Sequence, residues 1–297
     1  RLVGSEMCIR DRGLPYPQTA PVDVRDGLRA HLHTHFPDID PQLFERDIEA
    51  WQDLRSKCVS SVAPMGPSPL LRDYAAQLDC AARMLKNEAG TAFPWAPGFS
   101  HAPPLQWHES IAAERAYVLL WIAAEHAQSA SCESRSTSES LKRAANEFQL
   151  AAGCLAHMTT LPLPAPLQDQ VPCLRFLMLA QAQECFWQKA VQDALKDTTI
   201  AKLAQGVSTL YADSVALAPP AALPPDWLQH MECKRWHFAA AAMYRKSCDD
   251  LAQRRHADEL GRLRLAASYV ERAKRAGTRV VATAVVDDVQ SLYDIIH

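Results

Sequence analysis

Glycine is scarce in this chain, at 10 residues of 297. Strong net charge is absent too: the formal value is −3 with the signs interspersed, which leaves no basic footprint for extended phosphate binding and so no indication of a nucleic-acid partner. Long apolar runs are missing. The longest, Tyr117 to Ala124, has Arg115 and Glu125 close by and falls far short of the ~20 residues that a membrane-spanning helix needs. The nine cysteines include no CxxC pair, which argues against a zinc ribbon or a dense disulfide framework and fits reduced thiols in a cytosolic protein. Signatures of common enzymes are lacking as well. There is no P-loop, G-x-G-x-x-G, G-x-S-x-G or H-E-x-x-H pattern, and the near miss His108-Glu109 has Ala112 where a second histidine would stand.

What is present favours helix. Ala, Leu, Gln, Arg and Glu dominate, the side chains that lose least freedom in a helix. The 20 prolines gather in clusters such as Pro64–Pro69, Pro162–Pro166 and Pro219–Pro225, where they punctuate helices instead of interrupting them. The expected fold class is all-α, and 297 residues with 48% hydrophobic composition suffice for one large core or two modest ones.

Residues 1–12 stand apart. Met7-Cys8-Ile9-Arg10-Asp11-Arg12 reads like translated sequencing-adapter DNA, so 1–12 is set aside as an adapter-derived artefact and 13–297 is taken as one helical domain, truncated at its C-terminus. A first helix is expected from about Val22 to His35. A second follows Asp40-Pro41 and carries Leu43, Ile48, Trp51 and Leu54; Asp40 is its N-cap. Ser68-Pro69 repeats that start signal for a helix through Leu70, Tyr74, Leu78, Ala81 and Leu85, ending before Gly90. After a loop around Phe93-Pro94-Trp95, a long helix is expected over Leu105 to Ser131. Ser136 and Glu139 have the S-x-x-E spacing of a capping box, opening a helix whose buried face is Leu141, Ala144, Ala145, Phe148, Ala152 and Leu155. Helical pattern then runs from Leu167 to Leu217 with a break near Lys196-Asp197. Two antiparallel helices close the chain, Asp226 to Gln253 and His256 to Ala276. Their small and aromatic positions, Ala239–Ala242 and Tyr244 against Leu263, Ala266, Tyr269 and Ala273, resemble a TPR-like pair without a strict 34-residue period.

Few residues invite chemistry. His31 and His35 share a helix face and could hold a metal, but no acidic or cysteine third ligand stands close in sequence. The preferred reading is the polar face of a short amphipathic helix with Leu28, Leu32 and Phe36 buried, and no metal site is assigned. Cys173 and Cys185 read as core thiols. Arg254-Arg255-His256 and Arg272, Lys274 and Arg275 read as solvated faces, given Asp249, Asp250, Asp258 and Glu259 nearby. No cofactor is expected.

The most informative stretch runs Leu177-Met178-Leu179-Ala180-Gln181-Ala182-Gln183-Glu184-Cys185-Phe186-Trp187-Gln188-Lys189-Ala190, continuing through Lys196-Asp197-Thr198-Thr199-Ile200-Ala201-Lys202-Leu203. It resembles the signature of Bro-one (ALIX-type) domains. Val22-Asp23-Val24, Phe93-Pro94-Trp95 and Phe148-Gln149-Leu150-Ala151-Ala152-Gly153 occur in the family's order. The resemblance implies a banana-shaped helical domain around TPR-like antiparallel pairs. It would be a non-enzymatic adaptor that binds the C-terminal amphipathic helix of ESCRT-III subunits, the charged multivesicular body proteins. The implied setting is the cytoplasm, with recruitment to endosomes through partners and no transmembrane segment. Phe186 matches a family aromatic of the ligand trough, Leu203 a groove leucine, and Lys142 a lysine that engages acidic groups. Thr199 falls where ALIX-type grooves have isoleucine, with Ile200 beside it able to substitute only if the helix is rotated. Ser138 falls where they have aspartate, and further groove leucines of the family lie beyond His297. The reading from a different class is a TPR-like scaffold for another peptide or a signalling GTPase.

Overall fold

The computed structural model describes residues 11–60, 68–96, 99, 104–218, 223–277 and 283–296. Most of the adapter-like segment and the proline loops at 61–67 and 219–222 lie outside the described residues, as does His297. Ten α-helices and three strands are found among the described ones. In chain order they are β1 (Gln18–Thr19), α1 (Arg25–His35), α2 (Glu45–Ser60), α3 (Pro69–Met84), β2 (Glu88–Ala96), β3 (Gln106–Ser110), α4 (Ile111–Cys132), α5 (Ser138–Met158), α6 (Ala165–Gln192), α7 (Asp197–Leu217), α8 (Pro225–Ala252), α9 (His256–Gly277) and α10 (Thr283–Ile296). The residues form two compact units. One comprises Leu14–Gln128 and Cys154–Gln168; the other comprises Arg1–Gly13, Ser129–Gly153 and Asp169–His297.

The first unit carries the departure from an all-helical reading. Phe93-Pro94-Trp95, expected as a loop, is the middle of β2, the central strand of a three-stranded antiparallel sheet in the order β1-β2-β3. Pro94 has no amide hydrogen to give, and its carbonyl accepts from Thr19 Oγ1 at 2.7 Å. The expected helix from Leu105 begins instead at Ile111, because residues 106–110 pair with β2. Asn87, at φ 70°, fixes that boundary: its Oδ1 accepts from the Ala112 amide at 2.6 Å and its Nδ2 donates to Ser110 Oγ at 2.8 Å. A capping contact made from so far back in the chain leaves no local signal.

Asp40 caps as expected, accepting from the Gln42 amide at 3.0 Å, but the first turn, Pro41–Phe44, is 3₁₀. Leu43 consequently points out, 69% exposed, while Ile48 and Trp51 are buried. Ser68 opens α3 without a side-chain cap; its amide donates to Glu125 Oε2 at 2.7 Å. The centre of this unit is Glu114, fully buried and accepting from Arg55 Nε at 3.1 Å, Tyr74 OH at 2.8 Å and the Trp95 indole. Trp95 stacks on Tyr117, ring centroids 5.2 Å apart.

In the second unit, α5 starts one residue away from the expected capping box. Thr137 Oγ1 accepts from the Ser140 amide at 3.1 Å and Ser140 Oγ accepts from the Thr137 amide at 3.2 Å, so the reciprocal pair is Thr137/Ser140. Glu139 pairs with Lys142 instead. The apolar face of α5 is otherwise as its spacing requires, with Leu141, Ala144, Ala145 and Phe148 all buried. α6 and α7 meet at the expected break. Ala194 sits at φ 51°, with the Leu195 amide reaching back to Ala190 O at 3.0 Å and the Ala194 amide to Val191 O at 3.1 Å. That is a Schellman ending with alanine where glycine is usual. α8 packs against α7 and α9 through a buried run of small residues, Ala239–Ala242, which brings the backbones close. Arg254, at φ 57°, turns the chain between α8 and α9, and Arg255 then donates to the buried Asp250 at 3.1 Å through Nε. In the other basic run, Arg272 lies over the Trp236 ring at 4.6 Å.

Candidate functional site

All five residues carried over from the resemblance, Lys142, Phe186, Thr199, Ile200 and Leu203, fall in the second unit. Three observations set the register of α6 against α7. Ser214 Oγ donates to Cys173 O at 2.9 Å, and a Cβ added at Gly206 would lie 3.5 Å from Gln183 Nε2. Tyr211 OH donates to Glu184. The short connection and these pairs make α6 and α7 an antiparallel hairpin. Since Gln183 faces Gly206, Phe186, one turn further along α6, stands level with Leu203, one turn back along α7.

Exposure separates core from surface within this hairpin. Phe186 is 38% exposed, unusual for a phenylalanine on a helix whose neighbours Cys185 and Trp187 are buried. Leu203 is half-buried and Thr199 exposed. Ile200 is only 2% exposed: the helix is not rotated to present it, and it belongs to the core. Leu179 and Phe176 on α6 and Leu210 on α7, none of them singled out in the sequence, are also half-exposed. They continue the same faces at helical spacing: 179, 183 and 186 on α6 stand against 210, 206 and 203 on α7, and 176 and 199 extend the two ends. The result is an apolar strip about 15 Å long at 1.5 Å per residue, deepest at its middle, where Gly206 has no side chain. The signal was available as a second apolar stripe, but polar residues such as Arg175, Gln181, Glu184 and Gln188 are spread around α6, so periodicity alone did not separate its two faces.

Charge gathers at the Phe186 end. Lys142 Nζ lies 2.7 Å from Glu139, and Lys189 pairs with Asp193. The hydrogen bond that Lys142 donates to Glu139, with help from the Asp193 charge, pushes the Lys142 ammonium pKa up; the same bond, with Lys189 nearby, holds Glu139 down. Both side chains are exposed, so the pair is weak and free to exchange partners.

Behind the strip the hairpin is locked to α8. Lys234 Nζ lies 2.7 and 2.9 Å from the two Glu184 oxygens, with both side chains essentially inaccessible. Burial pushes the Tyr211 hydroxyl pKa well up, reinforced by the Glu184 carboxylate it donates to. His230 and His237 on the same helix are pushed down by burial and by Lys234, His237 to about 3. The Asp11 carboxylate pairs with Arg135, and Arg12 reaches Asp226 at 2.9 Å. Cys173 and Cys185 are buried, their thiols pushed up to about 11 and about 12 by burial, which suits packing and not nucleophilic chemistry.

The family described as BRO1-like domain matches residues 13–297. A pH-response regulator protein palA/RIM20 of Emericella nidulans is 38% identical over 292 residues, covering 94% of this chain and 34% of that protein. The chain thus spans about a third of the length of the curated relatives it matches. Among solved structures, one described as the ALIX BRO1 CHMP4C complex superposes with a TM-score of 0.80 at 23% identity, over 97% of this chain and 87% of that one. Another, on endosomal targeting by the Bro1 domain, gives 0.78 at 18%, over 96% and 82%. At these identities the likeness concerns the fold.

Proposed function

This chain belongs to the BRO1-like domain family, a family of adaptors, and we propose that it acts without catalysis by binding the C-terminal amphipathic helix of an ESCRT-III subunit along the α6–α7 strip. The observation that carries the reading is the exposed Phe186 standing level with Leu203, continued by Leu179 and Leu210. A strip of about 15 Å accepts about three turns of a ligand helix, whose apolar side chains would bury against it while charges fix the register. Lys142 and Lys189, at the Phe186 end, are the cations that meet ligand acidic groups. Thr199, at the same end, offers a methyl and a hydroxyl where a larger apolar side chain would contribute more buried area.

Support of a different kind comes from the solved neighbour described in complex with CHMP4C, which is of the ligand class expected. Recruitment to endosomal membranes would run through that partner: among the described residues no helix is long and apolar enough to cross a membrane. The name of the fungal relatives adds the signalling context, a pH response, as the process in which such an adaptor would serve.

The test is fluorescence anisotropy with a labelled ESCRT-III C-terminal helix peptide, comparing the chain with Phe186→Asp and Leu203→Asp. Burying a phenylalanine is worth about 1.5–3 kcal/mol, and a carboxylate placed there is desolvated without a partner. Each variant is expected to weaken binding at least about tenfold while circular dichroism stays unchanged. Saturable binding that both variants leave intact would remove the site from this strip; absence of binding by the folded chain would favour a TPR-like scaffold for another peptide or a GTPase.

A further inference from the structure

The sequence sets two histidines, His31 and His35, one turn apart on α1, and the fold supplies the third group that the local sequence lacks. β2 crosses α1 at a point where neither strand nor helix has a side chain. A Cβ at Gly27 would lie 2.4 Å from Gly90 O, and one at Gly90, which sits at φ 64°, would lie 2.2 Å from Gly27 O and 3.1 Å from the His31 Cβ. No other residue pair permits this approach, and it lays the start of β2 over the histidine face of the helix. Glu88 arrives there: one ligand atom from each of His31, His35 and Glu88 lies within 4.8 Å of the other two.

We propose that His31, His35 and Glu88 form a binding site for a divalent first-row transition cation, with zinc the best match. Two imidazoles, one carboxylate and a solvent-filled fourth position are a common zinc set, with bonds of about 2.0–2.2 Å. Tetrahedral bonds of that length put donor atoms roughly 3.3 Å apart, so the three groups close on the ion by side-chain adjustment alone. Calcium and magnesium require six or more oxygens, and this set offers a single carboxylate.

The histidines are prepared for the role. His35 Nδ1 lies 3.0 Å from the His31 carbonyl oxygen. A carbonyl only accepts, so Nδ1 carries the hydrogen and the lone pair is on Nε2, with the ring held in orientation as metal-bound histidines usually are. The two rings stack with centroids 4.1 Å apart. His31 is 8% exposed, its side chain held against the start of β2. His31 and Glu88 line a cavity of about 610 Å³ together with Lys86 and Glu109, and His35 is exposed beside it, so an ion has an entry path and solvent can complete its shell. Lys86 opposes the cation and Glu109 favours it. His33, between the two ligands in sequence, is exposed on another face of the helix and takes no part. Bound zinc would tie the start of β2 to α1.

Isothermal titration of the full chain with zinc chloride, repeated with magnesium, tests the site. One equivalent of zinc is expected, magnesium giving no heat. His35→Ala and Glu88→Gln, both at exposed positions, should each weaken zinc binding at least tenfold, and His33→Ala should leave it unchanged. Zinc should raise the melting temperature of the parent chain and not that of His35→Ala. Cobalt should give tetrahedral d–d bands without a thiolate charge-transfer band. The inference is overturned if no zinc binds, if His35→Ala and Glu88→Gln bind as the parent does, or if a thiolate band shows that cysteines took the metal.

Discussion

Lys234→Met leaves the Glu184 carboxylate in the core without its cation. In the parent chain the ammonium meets both carboxylate oxygens at 2.7 and 2.9 Å, and the two side chains are 1% and 0% exposed. Removing one member of a buried pair costs about 3–5 kcal/mol, because the survivor stays desolvated and unpaired. Replacing both by apolar groups of similar volume is often neutral or better. Glu184→Met with Lys234→Met should therefore recover most of the loss, short of the roughly 1–3 kcal/mol that follows from leaving the Tyr211 hydroxyl without its acceptor. Adding Tyr211→Phe should return part of that remainder. Urea unfolding followed by circular dichroism of the parent, the two single variants, the double and the triple gives five free energies, and the double-mutant cycle gives a coupling of several kcal/mol. Additive single and double effects would refute the claim that this ion pair, joining α6, α7 and α8, behaves as one unit.

Other outcomes follow from buried histidine and from backbone conformation. His237 is fully buried, and its pKa falls from 6.5 to about 3; the unfolded chain therefore binds a proton below pH 6.5 that the folded chain refuses. Stability is complete above pH 6.5 and falls toward pH 3 by up to about 1.4 kcal/mol per pH unit for this group. His237→Leu should flatten the acid limb of a urea-midpoint series by that slope, and an unchanged limb would mean that His237 titrates normally in the fold. Ala194→Gly relieves a left-handed backbone at φ 51° and should stabilise by about 1 kcal/mol in thermal melts. Gly206→Ala meets only ordinary contacts, 3.5–3.9 Å from Gln183, and gains helix propensity of up to about 1 kcal/mol; Gly206→Leu should instead fill the middle of the strip and weaken peptide binding without loss of helix.

Helix content was legible because helices announce themselves locally. The buried face of α5, the break before Asp197 and the pairing of α8 with α9 all rest on spacings within one element, and the structure reproduces them. The sheet was hidden for the opposite reason. β2 contains Pro94, which reads as a breaker, and its partners Gln18–Thr19 and Gln106–Ser110 are too short to show alternation. The α4 boundary depends on Asn87, far back in the chain. At the candidate site the family pattern pointed to Phe186 and Leu203, while composition could not tell which side of α6 faces solvent. Ile200 shows the limit of the pattern, since only three dimensions put it in the core. Glu88 shows another: a third ligand brought by a glycine crossing leaves no spacing to read.

A helix groove on α6–α7 is tested most directly by photocross-linking from within it. A photoreactive phenylalanine at position 210, half-exposed on the strip, should capture an ESCRT-III C-terminal helix peptide, and capture should fall when unlabelled peptide competes or when Phe186→Asp is added. The same residue at exposed position 264 on α9 should capture none. Equal capture from both positions, or capture at 210 that Phe186→Asp leaves intact, would contradict a ligand site built around Phe186 and Leu203.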